Sequence, residues 1–293
     1  MQLKSKSLGY AVWVLIGIAL TAVTASGQGR LSHVVQDERS FRVSGVPSVR
    51  VSTFDGTIRI ETWNQSEVRY AAEKRGRNQS DIDRIELEAN QVGEQVQIEA
   101  RLPHTGRRWG GNAVVNFTIF VPRQTNLTAR TGDGRIEARD VTGDIELSSG
   151  DGRIVATNLS GNLKIHTGDG PVELTDVSGR LQAQTGDGRM RIRGRFDELE
   201  VKTGDGSIDI TVERGSRMNG AWRLTTGDGS IQLALPDDFS AELDVHTNDG
   251  SITTDLPVTI SGRIGNTLRG RLNQGGNTLT VRTGDGSITL RRS

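Results

Sequence analysis

A four-residue string, Thr-Gly-Asp-Gly, returns along this chain at a near-constant interval, and that interval constrains the fold more than any other feature. It begins at Thr131, Thr167, Thr185, Thr203, Thr226 and Thr283, with Ser-Gly-Asp-Gly at Ser149 and Thr-Asn-Asp-Gly at Thr247. Asp133, Asp151, Asp169, Asp187 and Asp205 are each 18 residues apart; Asp228 and Asp249 follow at 23 and 21, and Asp285 lies 36 further on. Self-similarity at such a period marks a chain whose repeats stack on one another. Thr53-Phe54-Asp55-Gly56 is an earlier cousin ahead of the same kind of alternating run.

Each 18-residue unit divides into two alternating runs, such as Ile136-Glu137-Ala138 and Ile145-Glu146-Leu147. Period-two alternation makes strands with one buried face, and Asp-Gly or Ser/Thr-Gly makes the turns between them. Stacked at 18, the inward positions form four aliphatic columns. Ile136, Ile154, Val172, Met190 and Ile208 make the first; Ala138, Ala156, Leu174, Ile192 and Ile210 the second. Ile145, Leu163, Leu181 and Leu199 make the third; Leu147, Ile165, Ala183 and Val201 the fourth. Outward columns avoid stacked like charges, as in Glu173, Arg191, Asp209. The expected fold is therefore all-β, a parallel β-solenoid (β-helix or β-roll-like) with about 18 residues per rung. One rung buries four or five aliphatic side chains, each contributing roughly 1.5–3 kcal/mol. Ordering the rung costs roughly 1–2 kcal/mol per backbone residue, so stacking and ladder hydrogen bonds must supply the difference.

Composition agrees. Glycine is frequent (37), proline scarce (6), aromatics only 4%, and there is no cysteine, which removes disulfides and thiolate metal sites. The 36 basic and 36 acidic residues balance, so no general attraction to nucleic acid is expected. Lys4 and Lys6 precede an apolar stretch, residues 11–25, followed by small residues. That layout reads as a secretory signal peptide over 1–27, too short for a spanning helix, with retention as a membrane anchor the alternative. No transmembrane segment is expected after its removal. The remaining expected divisions are a linker over 28–40, a less regular N-terminal β region or cap over 41–122, and the repeat solenoid over 123–293. Location is expected to be exported: periplasm, outer surface or extracellular.

Chemistry is sparse. The aspartates Asp133, Asp151, Asp169, Asp187 and Asp205 stack as like charges. The structural explanation is that each accepts backbone N–H bonds within its own Asp-Gly turn; the alternative is Ca²⁺ between rungs, although the denser repeat of calcium-binding rolls is absent. Arg189, Arg191 and Arg193 alternate with Met190 and Ile192, which makes either a polyanion-binding stripe or a solvated face paired with Glu173 and Asp209. The Gly-Asp-Gly triplets do not extend to nucleotide-binding loops, the four histidines lack ligand spacing, and no nucleophile motif occurs. No catalytic residue and no cofactor is therefore expected. Trp63, Trp109 and Trp222 are too dispersed for a sugar-stacking platform and are expected to cap core ends.

Several of these elements together resemble a known family: Phe54-Asp55-Gly56-Thr57-Ile58, the Thr62-Trp63 pair, Phe120-Val121-Pro122 leading into the repeats, the TGDG-x-I ladder, and Gly275-Gly276 before the last TGDG. Over residues 41–290 the chain is similar to the putative-adhesin domain family of bacterial envelope proteins. The resemblance implies architecture and no catalytic residues. It leads to the expectation of a non-catalytic, adhesin-like binding or scaffold protein whose partner is an envelope or surface protein or polysaccharide. The alternatives are a polysaccharide lyase-like solenoid enzyme and an envelope-stress accessory protein.

Overall fold

The computed structural model describes residues 33–103, 113–260 and 265–293, and the architecture is all-β. The expected signal segment at 1–27 and Trp109 lie outside the described residues. The N-terminal part contributes β1 (His33–Arg42), β2 (Ser48–Thr53), β3 (Ile58–Trp63), β4 (Glu67–Gly76), the short helix α1 (Gln79–Asp83), β5 (Glu86–Val92), β6 (Gln95–Arg101) and β7 (Ala113–Pro122). The repeats supply β8 (Asn126–Thr131), β9 (Ile136–Arg139), β10 (Thr142–Ser149), β11 (Ile154–Thr157), β12 (Ser160–Thr167), β13 (Val172–Gln184), β14 (Met190–Lys202), β15 (Ile208–Val212), β16 (Trp222–Thr225) and β17 (Ile231–Leu235). The last stretch holds β18 (Ala241–Thr247), β19 (Ile252–Thr254), β20 (Val258–Ile260), β21 (Thr267–Leu272), β22 (Thr278–Thr283) and β23 (Ile288–Arg292).

Two parallel ladders enclose one core. The first runs β7, β3, β9, β11, β13, β14, β15, β17, β23, β19. The second runs β6, β2, β8, β10, β12, β13, β14, β16, β22, β18. The long strands β13 and β14 belong to both, which joins the ladders into one 23-stranded sheet. Ile154 pairs with Ile136 on one side and Val172 on the other, and Leu163 pairs with Ile145 and Leu181. All four aliphatic columns are buried and belong to a single cluster that also includes Val51, Ile60 and Phe117 of the N-terminal part. Pairing at that register is what lets like side chains interlock from strand to strand.

The corners follow from backbone conformation. Asp140, Asn158 and Asp176 take φ of 61°, 54° and 55°, the left-handed region that Asp and Asn tolerate best. Three residues on, Gly143, Gly161 and Gly179 have φ of 149°, 120° and 107°. A Cβ on Gly143 would lie 2.5 Å from the Thr125 carbonyl oxygen. Only glycine fits that combination of dihedral and close approach.

Two expectations are corrected. The described part of the 28–40 stretch is not a linker: β1 pairs antiparallel with β4 from His33↔Gly76 to Arg42↔Glu67. Phe41 of β1 is buried, and Asp37 accepts a hydrogen bond from the Tyr70 hydroxyl at 2.5 Å. Nor do the coils stack in sequence order throughout. Ile288 of the last repeat pairs with Ile231 and with Ile252, so β23 lies between β17 and β19, and β22 likewise between β16 and β18. The same device operates at the other end, where β3 lies between β7 and β9 and β2 between β6 and β8. The first and last coils are thereby interior. Antiparallel strands (β1 and β4 beyond β7, β5 beyond β6, β21 and β20 beyond β18) cover three of the four ladder ends; among the described residues the short strand β19 pairs on one side, with β23. An open parallel edge is a template for aggregation, and the antiparallel strands blunt it at three ends while only the three-residue β19 ends the fourth.

Tyr70 packs against Phe41 and Phe117, with ring centroids 6.4 and 6.3 Å away. Burial, then the hydrogen bond to Asp37 and the charge of that carboxylate, push its phenol well above the usual tyrosine range. The neutral form is favoured in the folded state, so its stabilisation is complete below the unfolded pKa of about 10 and is lost as pH rises beyond it. In an alkaline titration, the Tyr70 phenolate signal, taken as the difference from Tyr70→Phe, is expected to appear together with loss of strand signal. A phenolate that grows in while the strands persist would contradict this placement.

Candidate functional site

The TGDG corners form one edge of the stack. Each Thr or Ser hydroxyl donates to the last glycine carbonyl of the adjacent turn: Thr131 to Gly56 (2.9 Å), Ser149 to Gly134 (2.8 Å), Thr167 to Gly152 (2.9 Å) and Thr185 to Gly170 (3.1 Å). Thr226 continues the series to Gly206, Thr283 to Gly229 and Thr247 to Gly286, each at 2.8 Å. In several turns the same hydroxyl also accepts the glycine N–H of its own turn, as Gly152 to Ser149 at 3.0 Å. The turn-forming side-chain bonds assigned above to Asp133, Asp151, Asp169, Asp187 and Asp205 are therefore made by the preceding Thr or Ser. The hydroxyl is buried beside the backbone, while the carboxylates are exposed. Among the described residues no group of three His, Cys, Asp or Glu has an arrangement fit to hold a metal ion.

On the outer face of the first ladder, charges cross from strand to strand. Arg59 lies 3.0 Å from Glu137, and Arg135 lies 2.9 Å from the same carboxylate. Arg153 pairs with Glu173, whose carboxyl is held below the usual range first by that hydrogen bond. Arg189 donates to Ser207 (3.0 Å), Arg191 lies 3.9 Å from Asp209, and Arg193 donates to Glu213 (2.8 Å). The three arginines do share an outward face, each with a partner on a neighbouring segment.

The tryptophans separate. Trp222 is fully buried between Phe196 and Phe239. Trp63 instead sits on the outer face, its ring 5.3 Å from that of Phe120. The Arg69 guanidinium lies over both rings, at 4.9 and 4.7 Å, and 3.4 Å from Glu38. Trp63 is thus not a core cap. Its indole N–H donates to the Glu67 carbonyl at 2.8 Å.

Beside this cluster lies a groove of about 420 Å³ over β1, β4, β7 and β3. The register places Glu38, Ala71, Thr118 and Arg59 in one row across those strands, and Gln36, Glu73, Asn116 and Thr57 in the next. Small Ala71 and Thr118 form the floor; Glu38 rises on the β1 side and Arg59 on the β3 side. With strands about 4.8 Å apart, the trough is roughly 14 Å wide. Its polar groups are fixed by neighbours: Asn116 Oδ1 accepts the Thr57 N–H at 2.9 Å, Arg75 pairs with Glu73, and Arg59 with Glu137. The alternating runs around Arg59 and Thr118 are legible in the sequence, but Gln36 and Glu38 fall in the stretch expected to be a linker, and the meeting of the strands is not legible. It depends on β3 inserting beside β7 and on β1 and β4 folding back beyond it.

Solved structures with similar chain paths include a putative cell adhesion protein from Clostridium sporogenes, 12% identical, covering 89% of this chain and 100% of its own, with a TM-score of 0.32. A putative adhesin from Bacteroides fragilis is 12% identical over 88% of this chain and 97% of its own, TM-score 0.40. A putative lipid binding protein from Parabacteroides distasonis is 10% identical over 91% and 98%, TM-score 0.44. No curated protein gives a significant match. The Toastrack DUF4097 family matches residues 46–291, which is most of the chain, from β2 through the TGDG ladder to β23; the chain belongs to that family.

Proposed function

We propose that this chain is an exported, non-catalytic, adhesin-like protein of the cell envelope or surface, built as a parallel β-solenoid of about 18 residues per coil and binding its partner through the groove over β1, β4, β7 and β3. The groove carries the reading. Here a hydrogen-bonded sheet presents a half-open depression lined by donors and acceptors of both signs. Binding residues held on strands are already ordered before the ligand arrives, which lowers the entropic cost of association. The stacked aliphatic columns and the 18-residue register of β10, β12 and β13 support the solenoid assignment. Export is supported by the apolar stretch at residues 11–25 behind Lys4 and Lys6. No helix among the described residues is long and apolar enough to cross a membrane.

The test is fractionation of the source cells with N-terminal sequencing of the recovered protein, followed by sedimentation of the purified chain with envelope fragments. Saturable retention on the fragments, lost when Ala71→Trp fills the groove floor, is the expected result. A cytoplasmic chain with an intact N-terminus, or retention indifferent to Ala71→Trp, would remove the proposal.

A further inference from the structure

We infer that the ligand of this trough is a segment of an uncharged glycan. The inference rests on the trough being the binding site and adds the chemical class of what enters it. The first argument is charge. Glu38 and Glu73 are matched in number by Arg59 and Arg75 on the same outer face, and the charged groups already have partners: Arg59 with Glu137, Arg75 with Glu73, and Arg69 with Glu38. A polyanion would bring further negative charge against two carboxylates, and either ion would have to displace existing ion pairs. An uncharged ligand meets neither cost.

The second argument is the kind of polar group present. Guanidinium, carboxylate and carboxamide groups are planar and bidentate, and adjacent hydroxyls of a sugar ring offer donor and acceptor at matching spacing. Arg59 uses its Nε–H for Glu137 at 3.0 Å, and its terminal amino groups make no hydrogen bond among the described residues. The Glu38 side chain is 58% exposed, with one long contact of 3.4 Å to Arg69. Arg69, stacked over Trp63 and Phe120, stands 3.4 Å from Glu38 and leaves most of that carboxylate open to a ligand's hydroxyls.

The third argument is shape. A site for an apolar molecule is enclosed and lined by aliphatic and aromatic side chains. This one is an open trough whose apolar lining residues are Ala71, Ala72 and Phe117, of which Ala72 and Phe117 are themselves almost fully buried. It suits a chain of rings laid across the strands with its hydroxyls directed at the walls.

The experiment uses the purified full chain and calorimetric titration with neutral oligosaccharides derived from cellulose, chitin, mannan, galactan and starch, against polygalacturonate and heparin as acidic comparators. Saturable binding to at least one neutral series is expected, weakened by about tenfold or more in Ala71→Trp and in Glu38→Ala, and unchanged in Gln232→Ala, which lies in the same row far along the ladder. Thermal melts of each variant establish folding, and Glu38, exposed on the terminal strand, serves if Ala71→Trp fails to fold. Binding confined to the acidic comparators, or neutral binding insensitive to both groove variants, would overturn the inference. Envelope retention that Ala71→Trp abolishes, without affinity for any neutral glycan, would overturn the ligand class and leave the groove standing. Absence of both would overturn the two together.

Discussion

Gly152→Val is expected to destabilise the protein by about 3 kcal/mol or more, the upper end of what overpacking costs. Gly152 ends the second TGDG-type turn, where adjacent turns approach so closely that a Cβ would fall against the Gly134 carbonyl oxygen and 2.6 Å from the Ser149 hydroxyl. Those atoms cannot move aside. The Gly134 carbonyl already accepts the Ser149 hydroxyl, and the Gly152 carbonyl accepts that of Thr167. Separating one turn therefore breaks the hydroxyl ladder on both sides, and in a stacked architecture the damage reaches neighbouring coils before it reaches solvent. Gly220→Ala is the matched control, since a Cβ there would meet nothing within 4 Å. Urea unfolding followed by the strand signal reads the difference; similar midpoints for the two variants would mean the turns are not in contact.

Trp222→Ala is the second large effect, expected to cost about 3–5 kcal/mol. Trp222 is 0% exposed and occupies the column continued by Leu279 and Leu243. Its ring lies 6.2 Å from Phe196 and 5.1 Å from Phe239, and its indole N–H reaches the Asp197 carbonyl at 3.3 Å. The position coincides with the lengthened interval from Asp205 to Asp228, 23 residues instead of 18. The extra residues run through the turn after β15, and Phe196, Trp222 and Phe239 pack against one another in the core there. Truncation leaves a cavity bounded by two phenylalanines that the parallel ladder prevents from closing. Trp222→Leu, which restores the column's usual residue, is expected to recover part of the loss. An unchanged unfolding midpoint for Trp222→Ala would show that the interior collapses around the gap.

The TGDG period made the register between β10, β12 and β13 readable, because residues at a constant offset that stay aliphatic at every inward position must be neighbours. It also made the outward charge order readable, as with Glu173, Arg191 and Asp209. Two details were present in the string and carried no hydropathy signal. One is the Asp140, Asn158, Asp176 corner, visible only as a polar residue recurring at the same interval. The other is the division of labour in the turn, where the buried hydroxyl and the exposed carboxylate exchange the roles that Asp-Gly chemistry alone assigns.

By itself, then, the sequence determined that this chain is all-β and that its regular strands stack through aliphatic columns, since a local period constrains contacts between consecutive coils. The order of the coils at the ends was decided only by the tertiary structure. Whether Ile288 stacks on Ile252 alone or slips in between Ile231 and Ile252 leaves the hydrophobic pattern of every strand unchanged. Which strand ends each ladder is what separates the alternatives, and that is a property of the finished stack. The groove shares this origin: Glu38, Ala71, Thr118 and Arg59 become a row only when β1 and β4 fold back beside β7 and β3 is inserted next to it.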